Sequence, residues 1–188
     1  MKKSLLIGLI IVVALILMVG GYFWSFYNGL VSQDQGIQGQ WAQVENQFQR
    51  RLDLIPNLVN SVQGAMGQEK TIFSDLADAR TKYAGAQTTN DKAQAAGEVE
   101  GALGRLLAIM ENYPQLKSID TVQTLMAQLE GTENRIAVER GRFNELTKSY
   151  NTKISQLPGK FIAPIFGFSA KEYFEAASGA EVAPEVKL

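Results

Sequence analysis

Glu130 and Glu133 stand three residues apart in a stretch of helical periodicity, which puts both carboxylates on one helix face. Such a pair can carry protons or hold a divalent cation. The same spacing is also the ordinary solvated face of a helix, and the rest of the chain offers the pair little support. The sequence contains no histidine and no cysteine. That removes the commonest general base and metal ligand, together with thiolate zinc sites, thiol nucleophiles and disulfides. Gly97, Gly101 and Gly104 follow no strand and make no phosphate-binding loop. The sequence therefore predicts no catalytic residue, no metal site and no cofactor. A carboxylate-dependent hydrolase using Glu130 or Glu133 ranks last among three functional readings.

The remaining candidate chemistry is electrostatic. Arg50, Arg51 and Asp53 intrude on the apolar pattern of an early helix, as Glu130, Glu133 and Arg140 do on that of a late one. Two solvated faces would account for this. The sharper expectation is an interhelical ion-pair cluster, such as Arg51 with Glu133, that sets packing register.

These groups need elements to position them, and the first element is a membrane span. Residues 4–33 contain no charged side chain, and Leu5 to Trp24 is apolar apart from Gly8, Gly20 and Gly21. A run of ~20 apolar residues at ~1.5 Å each crosses a hydrocarbon core of about 30 Å. It is too long for a signal peptide's apolar core, and Gly20-Gly21-Tyr22-Phe23-Trp24 stands where a small-x-small cleavage site would be. Tyr22, Phe23, Trp24 and Tyr27 fit an aromatic belt at the far membrane interface. Lys2 and Lys3 precede the span, and the next basic residue is Arg50, beyond the window that sets topology. The expected arrangement is single-pass in the cell inner or plasma membrane. Residues 1–4 are cytoplasmic, 5–24 form the anchor, and the domain from 25 to 175 is periplasmic or extracellular. Apart from Lys2 and Lys3, the chain has 16 basic and 19 acidic residues, which argues against a nucleic-acid partner.

Beyond the anchor the sequence predicts an all-α fold: the transmembrane helix continues into an elongated antiparallel helical bundle. The first stripe runs Tyr27, Leu30, Ile37, Trp41, Val44, Phe48, Leu52, Ile55, Val59, Val62 and Met66. It keeps phase across Pro56, which predicts a kinked but continuous helix. The stripe can extend through Phe73, Leu76 and Tyr83, giving three long helices. If the chain turns back near Gly64-Gly67, there are four, and the aromatic segment from Phe161 to Phe174 returns to the membrane surface. A second helix, capped at Asn90 and ended by Tyr113-Pro114, carries a seam of Ala96, Val99, Leu103, Leu106, Met110 and Tyr113. Gly97, Gly101 and Gly104 beside that seam predict close packing of another helix. A third helix, capped at Asp120 and stopped by Pro158-Gly159, places Val122, Leu129, Ile136, Phe143, Tyr150 and Leu157 seven apart, a coiled-coil repeat. The segment from 158 is aromatic and aperiodic. Phe161, Phe166, Phe168, Tyr173 and Phe174 are candidates for a core cap, a membrane contact or a partner contact. Residues 176–188 read as a disordered tail.

Several blocks together resemble the LemA family. They are Arg50-Arg51-Leu52-Asp53-Leu54-Ile55-Pro56-Asn57-Leu58-Val59, Ala79-Arg80, and Glu111-Asn112-Tyr113-Pro114-Gln115-Leu116-Lys117. Leu129-Glu130-Gly131-Thr132-Glu133-Asn134-Arg135-Ile136-Ala137-Val138 and Tyr150-Asn151 complete the set. The chain departs from the family pattern at Phe143, where tyrosine is expected before asparagine, and at Gly141. The resemblance implies an N-terminal membrane helix followed by an α-helical bundle. It implies no reaction, and one branch of the family is linked to shaping an intracellular bacterial membrane compartment. The leading functional expectation is a scaffold of the cell envelope that contacts the lipid bilayer and forms a homo-oligomer. The alternative is an adaptor or sensor for another membrane protein, such as a protease or signalling protein.

Overall fold

The computed structural model describes residues 2–174, and burial within it is described for residues 5–174. The expected tail at 176–188 lies outside the described residues. The elements are α1 (Lys2–Val62), α2 (Lys70–Gly85), α3 (Thr89–Met110), a 3-10 turn (Pro114–Ser118), α4 (Asp120–Ser155) and α5 (Gly159–Ile165). No strand occurs among the described residues, and the fold is an all-α bundle. The chain divides into two compact units. Among the described residues, one comprises residues 2–39 with Glu145–Lys171; the other comprises Gln40–Asn144 with residues 172–174. α1 and α4 contribute residues to both.

The second unit holds the larger core. From α1 it takes Val44, Phe48, Leu52, Ile55 and Val62, all buried as their spacing predicts. Leu58 is also buried although it falls outside the predicted stripe. α1 passes through Pro56 without ending, so the in-phase residues on either side mark one continuous helix.

The helix does not run on to Tyr83. It stops at Val62, and a turn through Gln63–Glu69 leads into α2, so helix one breaks near Gly64-Gly67 rather than giving three long helices. Two glycines in that turn each cost a helix about 1 kcal/mol relative to alanine. The turn replaces the lost ladder with its own bonds, from Met66 N–H to the Val62 carbonyl (3.0 Å) and from Glu69 N–H to the Met66 carbonyl (2.9 Å). Met66 is fully buried from within this turn. α2 then packs a stripe of its own, Ile72, Leu76, Ala79 and Tyr83, largely against α3. Met66 and α2 each serve the core independently, and their phase match with α1 only imitates continuity.

α3 begins at Thr89, and its cap lies two residues before the expected one. Thr88, in an extended conformation, accepts a hydrogen bond from Asp91 N–H at 3.1 Å, so Thr88 rather than Asn90 is the N-cap. The helix ends at Met110, ahead of Tyr113-Pro114, because Pro114 opens the 3-10 turn. Ala96, Val99, Leu103, Leu106 and Met110 are buried as the seam predicts, and Tyr113 is half-buried. Among the described residues, no neighbour approaches two of the three glycines of the expected close-packing face. Gly101 and Gly104 are exposed, and a methyl group built on either would meet nothing within 4 Å. Gly97 is half-buried.

α4 buries Val122, Leu129, Ile136, Phe143 and Tyr150 at seven-residue intervals. Leu157, the last member of the expected repeat, lies past the helix end and is 74% exposed. Asp120 falls in the first helical turn. In the first unit, Leu30 and Ile37 of α1, Tyr150 and Ile154 of α4, and Ile162 and Ala163 of α5 are buried. The α4–α5 turn depends on Gly159, because a Cβ there would overlap the Lys153 carbonyl oxygen.

Candidate functional site

The expected ion-pair cluster is present in the second unit, with a different membership. Arg51 on α1 is 1% exposed. Its Nη1 donates to Glu100 Oε1 on α3 at 3.1 Å, and its Nη2 pairs with the Glu133 carboxylate on α4. Arg140, also on α4, pairs through Nη2 with the same Glu100 oxygen. Glu100 thus bridges two guanidinium groups, and three helices meet at one neutral network of two arginines and two glutamates.

Aromatic rings line this network. The Arg140 guanidinium lies over the Phe174 ring at 4.3 Å and the Phe48 ring at 4.9 Å, and Arg51 lies 5.8 Å from the Phe48 centroid. Phe48 and Phe174 stack at 6.5 Å, and Trp41 contacts Phe174 at 5.9 Å and Phe143 at 5.5 Å. A guanidinium between carboxylates and ring faces is stabilised on both sides while removed from water.

Three residues expected in the cluster lie outside it. Arg50 is exposed, Asp53 is exposed and accepts from Gln49 Nε2 at 2.8 Å, and Glu130 is exposed on the outer side of α4. Glu133 pairs with Arg51, whereas Glu130 is not part of that ion-pair network. Glu100 was not foreseen. It sits next to the seam residue Val99 and reads from sequence as ordinary polar surface. Glu130, Glu133 and Arg51 instead line a groove of about 740 Å3 that also includes Leu103, Met110, Leu116, Val122, Met126 and Leu129.

The aromatic residues of the chain's last segment divide between roles. Phe174 is buried in the second unit and is a core residue rather than a partner contact. Its backbone is held by Asn144 of α4, whose Nδ2 donates to the Phe174 carbonyl (2.9 Å) and whose Oδ1 accepts from Phe174 N–H (2.8 Å). Tyr173 is exposed. In the first unit, Asn151 of α4 holds Lys171 by the same two-way pairing, at 2.8 and 2.9 Å. Lys171 Nζ pairs with Asp34 at 2.7 Å. Phe166 and Phe168 lie against Tyr27, with ring centroids 5.0 and 5.7 Å apart. Phe161 is exposed, as are Tyr22, Phe23 and Trp24 of the expected interface belt. The asparagine clamps went unrecognised in the sequence. Their signal was an asparagine after each of two heptad aromatics, Phe143 and Tyr150.

Tyr83 is buried against Phe48, with centroids 5.8 Å apart. Burial, and secondarily the Glu45 carboxylate, pushes its phenol up to about 12 from 10.0. The unfolded chain then ionises first. Stability from this group is fully present below pH 10 and is lost as pH rises toward 12. Titrating denaturant midpoints should show that alkaline loss, and Tyr83→Phe should reduce it.

α1 carries one stretch long and apolar enough to cross a membrane, and none of that stretch is buried against the rest of the chain. The model of the LemA family matches residues 40–188, a span containing Arg51, Glu100, Glu133, Arg140 and both asparagine clamps. Two magnetosome proteins of Paramagnetospirillum magneticum, MamQ 1 and MamQ 2, are each 31% identical over 79% of this chain. Magnetosome protein MamQ of Magnetospirillum gryphiswaldense is 32% identical over the same share. The chain spans about 64% of the length of these relatives. With the family match covering most of its residues, the chain belongs to the LemA family.

Proposed function

We propose that this chain is a single-pass, membrane-anchored, non-enzymatic protein that self-associates and organises the surface of the membrane that holds it. The observation carrying this reading is the apolar run from Leu5 to Val19, whose large side chains are about half to three-quarters exposed. Water would penalise such a surface heavily, whereas a bilayer accommodates it. In this reading residues 1–4 are cytoplasmic, 5–24 span the membrane, and 25–175 form an extracytoplasmic domain. The name carried by the MamQ relatives, magnetosome protein, agrees with a role at a membrane. The charged network agrees with a structural role, because each of its carboxylates is engaged by a guanidinium.

An adaptor or sensor subunit is the second reading, and the groove in the second unit favours it. Its apolar lining has the character of a surface that receives a helix from another protein. Protease added to intact protoplasts should digest the domain and leave a protected fragment of the anchor. Cross-linking within the membrane should yield species containing only this chain. Full protection contradicts the topology, and cross-links exclusively to another protein favour the adaptor.

A further inference from the structure

The short helix α5 is apolar on two sides. Gly159, Ile162 and Ala163 are buried in the first unit. Phe161 and Ile165, one turn apart, are 68% and 76% exposed, with exposed Leu157 just before the helix and exposed Phe166 just after it. Water gives no reason to expose four large apolar side chains within ten residues. Their location does. Phe166 packs on Tyr27, which stands three residues beyond Trp24, the end of the apolar run. At ~1.5 Å per residue this is a rise of about 4.5 Å. Cations lie close by: Lys153 Nζ is 5.4 Å from the ring centroid of Phe26, next to Tyr27, and Lys160 on α5 is exposed.

The segment is also held in place. Gly159 permits the tight approach to the Lys153 carbonyl, Asn151 clamps Lys171, and Lys171 pairs with Asp34 of α1.

We propose that α5, with Leu157 and Phe166, is a second membrane contact. It lies in the headgroup–acyl boundary of the leaflet from which α1 emerges, with Lys153 and Lys160 at the level of the lipid phosphates. The occupant of this face is lipid, because the face is continuous through Phe166 and Tyr27 with the exposed apolar surface of α1. An interfacial element of this kind combines apolar burial with attraction to anionic headgroups. The chain is then fixed to the membrane at two places, which restrains its orientation more than a single span does. This inference rests on residues 5–24 spanning the bilayer.

The chain has no native cysteine, so single thiols report cleanly. Four full-length variants, Phe161→Cys, Ile165→Cys, Leu15→Cys and Ser74→Cys, would each be labelled with an environment-sensitive fluorophore. Each would be reconstituted in two sets of phosphatidylethanolamine–phosphatidylglycerol vesicles, one with lipids brominated near the headgroup end of the acyl chain, to probe 161, 165 and 74, and one with lipids brominated near its terminal methyl, to probe Leu15. Labels at 161 and 165 should be quenched about two-fold or more beyond the label at 74, which is on exposed α2 surface. Quenching at 161 and 165 no greater than at 74, with Leu15 quenched, overturns the α5 contact and leaves the anchor standing. Absence of quenching at Leu15 overturns the anchor reading itself. Labels at 161 and 165 that are shielded from aqueous iodide yet unquenched by brominated lipid also overturn the proposal, and identify a protein contact instead.

Discussion

Replacing Arg51 with alanine is expected to destabilise the protein by about 3–5 kcal/mol, the cost of breaking a buried ion pair from one side. The side chain is 1% exposed and links Glu100 on α3 to Glu133 on α4. Its loss leaves Glu133 without its guanidinium, removes one of the two groups that neutralise Glu100, and opens a void beside Phe48. The adjacent Arg50→Ala supplies the contrast. Arg50 is exposed, and exposed substitutions generally fall within about 0.5 kcal/mol of neutral. Glu133→Gln should lie between them and cost about 1 kcal/mol or less, because its side chain is 56% exposed and solvent screens its half of the pair. Denaturant unfolding of detergent-solubilised protein, followed by circular dichroism, measures all three. Similar midpoints for Arg50→Ala and Arg51→Ala would show that the cluster is surface charge with no hold on the packing of α1, α3 and α4.

Phe174→Ala should be the second severe substitution, at about 3 kcal/mol or more, in the range for truncating a buried aromatic ring. Phe174 is 8% exposed, stacks on Phe48 and Trp41, and carries the Arg140 guanidinium on its face. The ring comes from the far end of the chain and reaches this core because Asn144 binds its backbone in both directions. Asn144→Ala removes both of those bonds and should cost about 1–3 kcal/mol while leaving the ring present. Thermal unfolding of the two variants separates the contributions. If Phe174 were a partner contact, the alanine variant would unfold at the wild-type temperature and lose only assembly.

The sequence was most legible where one periodic signal dominated. Each member of the seven-residue repeat of α4 from Val122 to Tyr150 is buried, because a long amphipathic helix has one way to bury such a stripe. Arg51 with Glu133 was legible for a related reason: charges that interrupt apolar stripes on two helices must find each other or stay solvated. Glu100 was hidden because nothing local distinguishes a glutamate beside a seam that bridges two arginines from one that faces water. The break after Val62 was legible only as one of two alternatives, because Met66 and α2 bury residues in phase with α1 by tertiary packing, which local periodicity cannot separate from continuity. The asparagine clamps were hidden because they recognise backbone about twenty to thirty residues further along the chain. The glycines of α3 are a different case. A plausible reason for a poor helix former was inferred, and the structure provides no neighbour for Gly101 or Gly104.

The central claim is a membrane-anchored protein that assembles with copies of itself. Native mass measurement of the complex extracted with its own lipids tests it most directly. Self-association as proposed above gives a protein mass that is an integer multiple of 20.6 kDa, two or more copies, with no second polypeptide required. A single 20.6 kDa chain in its lipid shell, or a complex completed by a different protein, would contradict it.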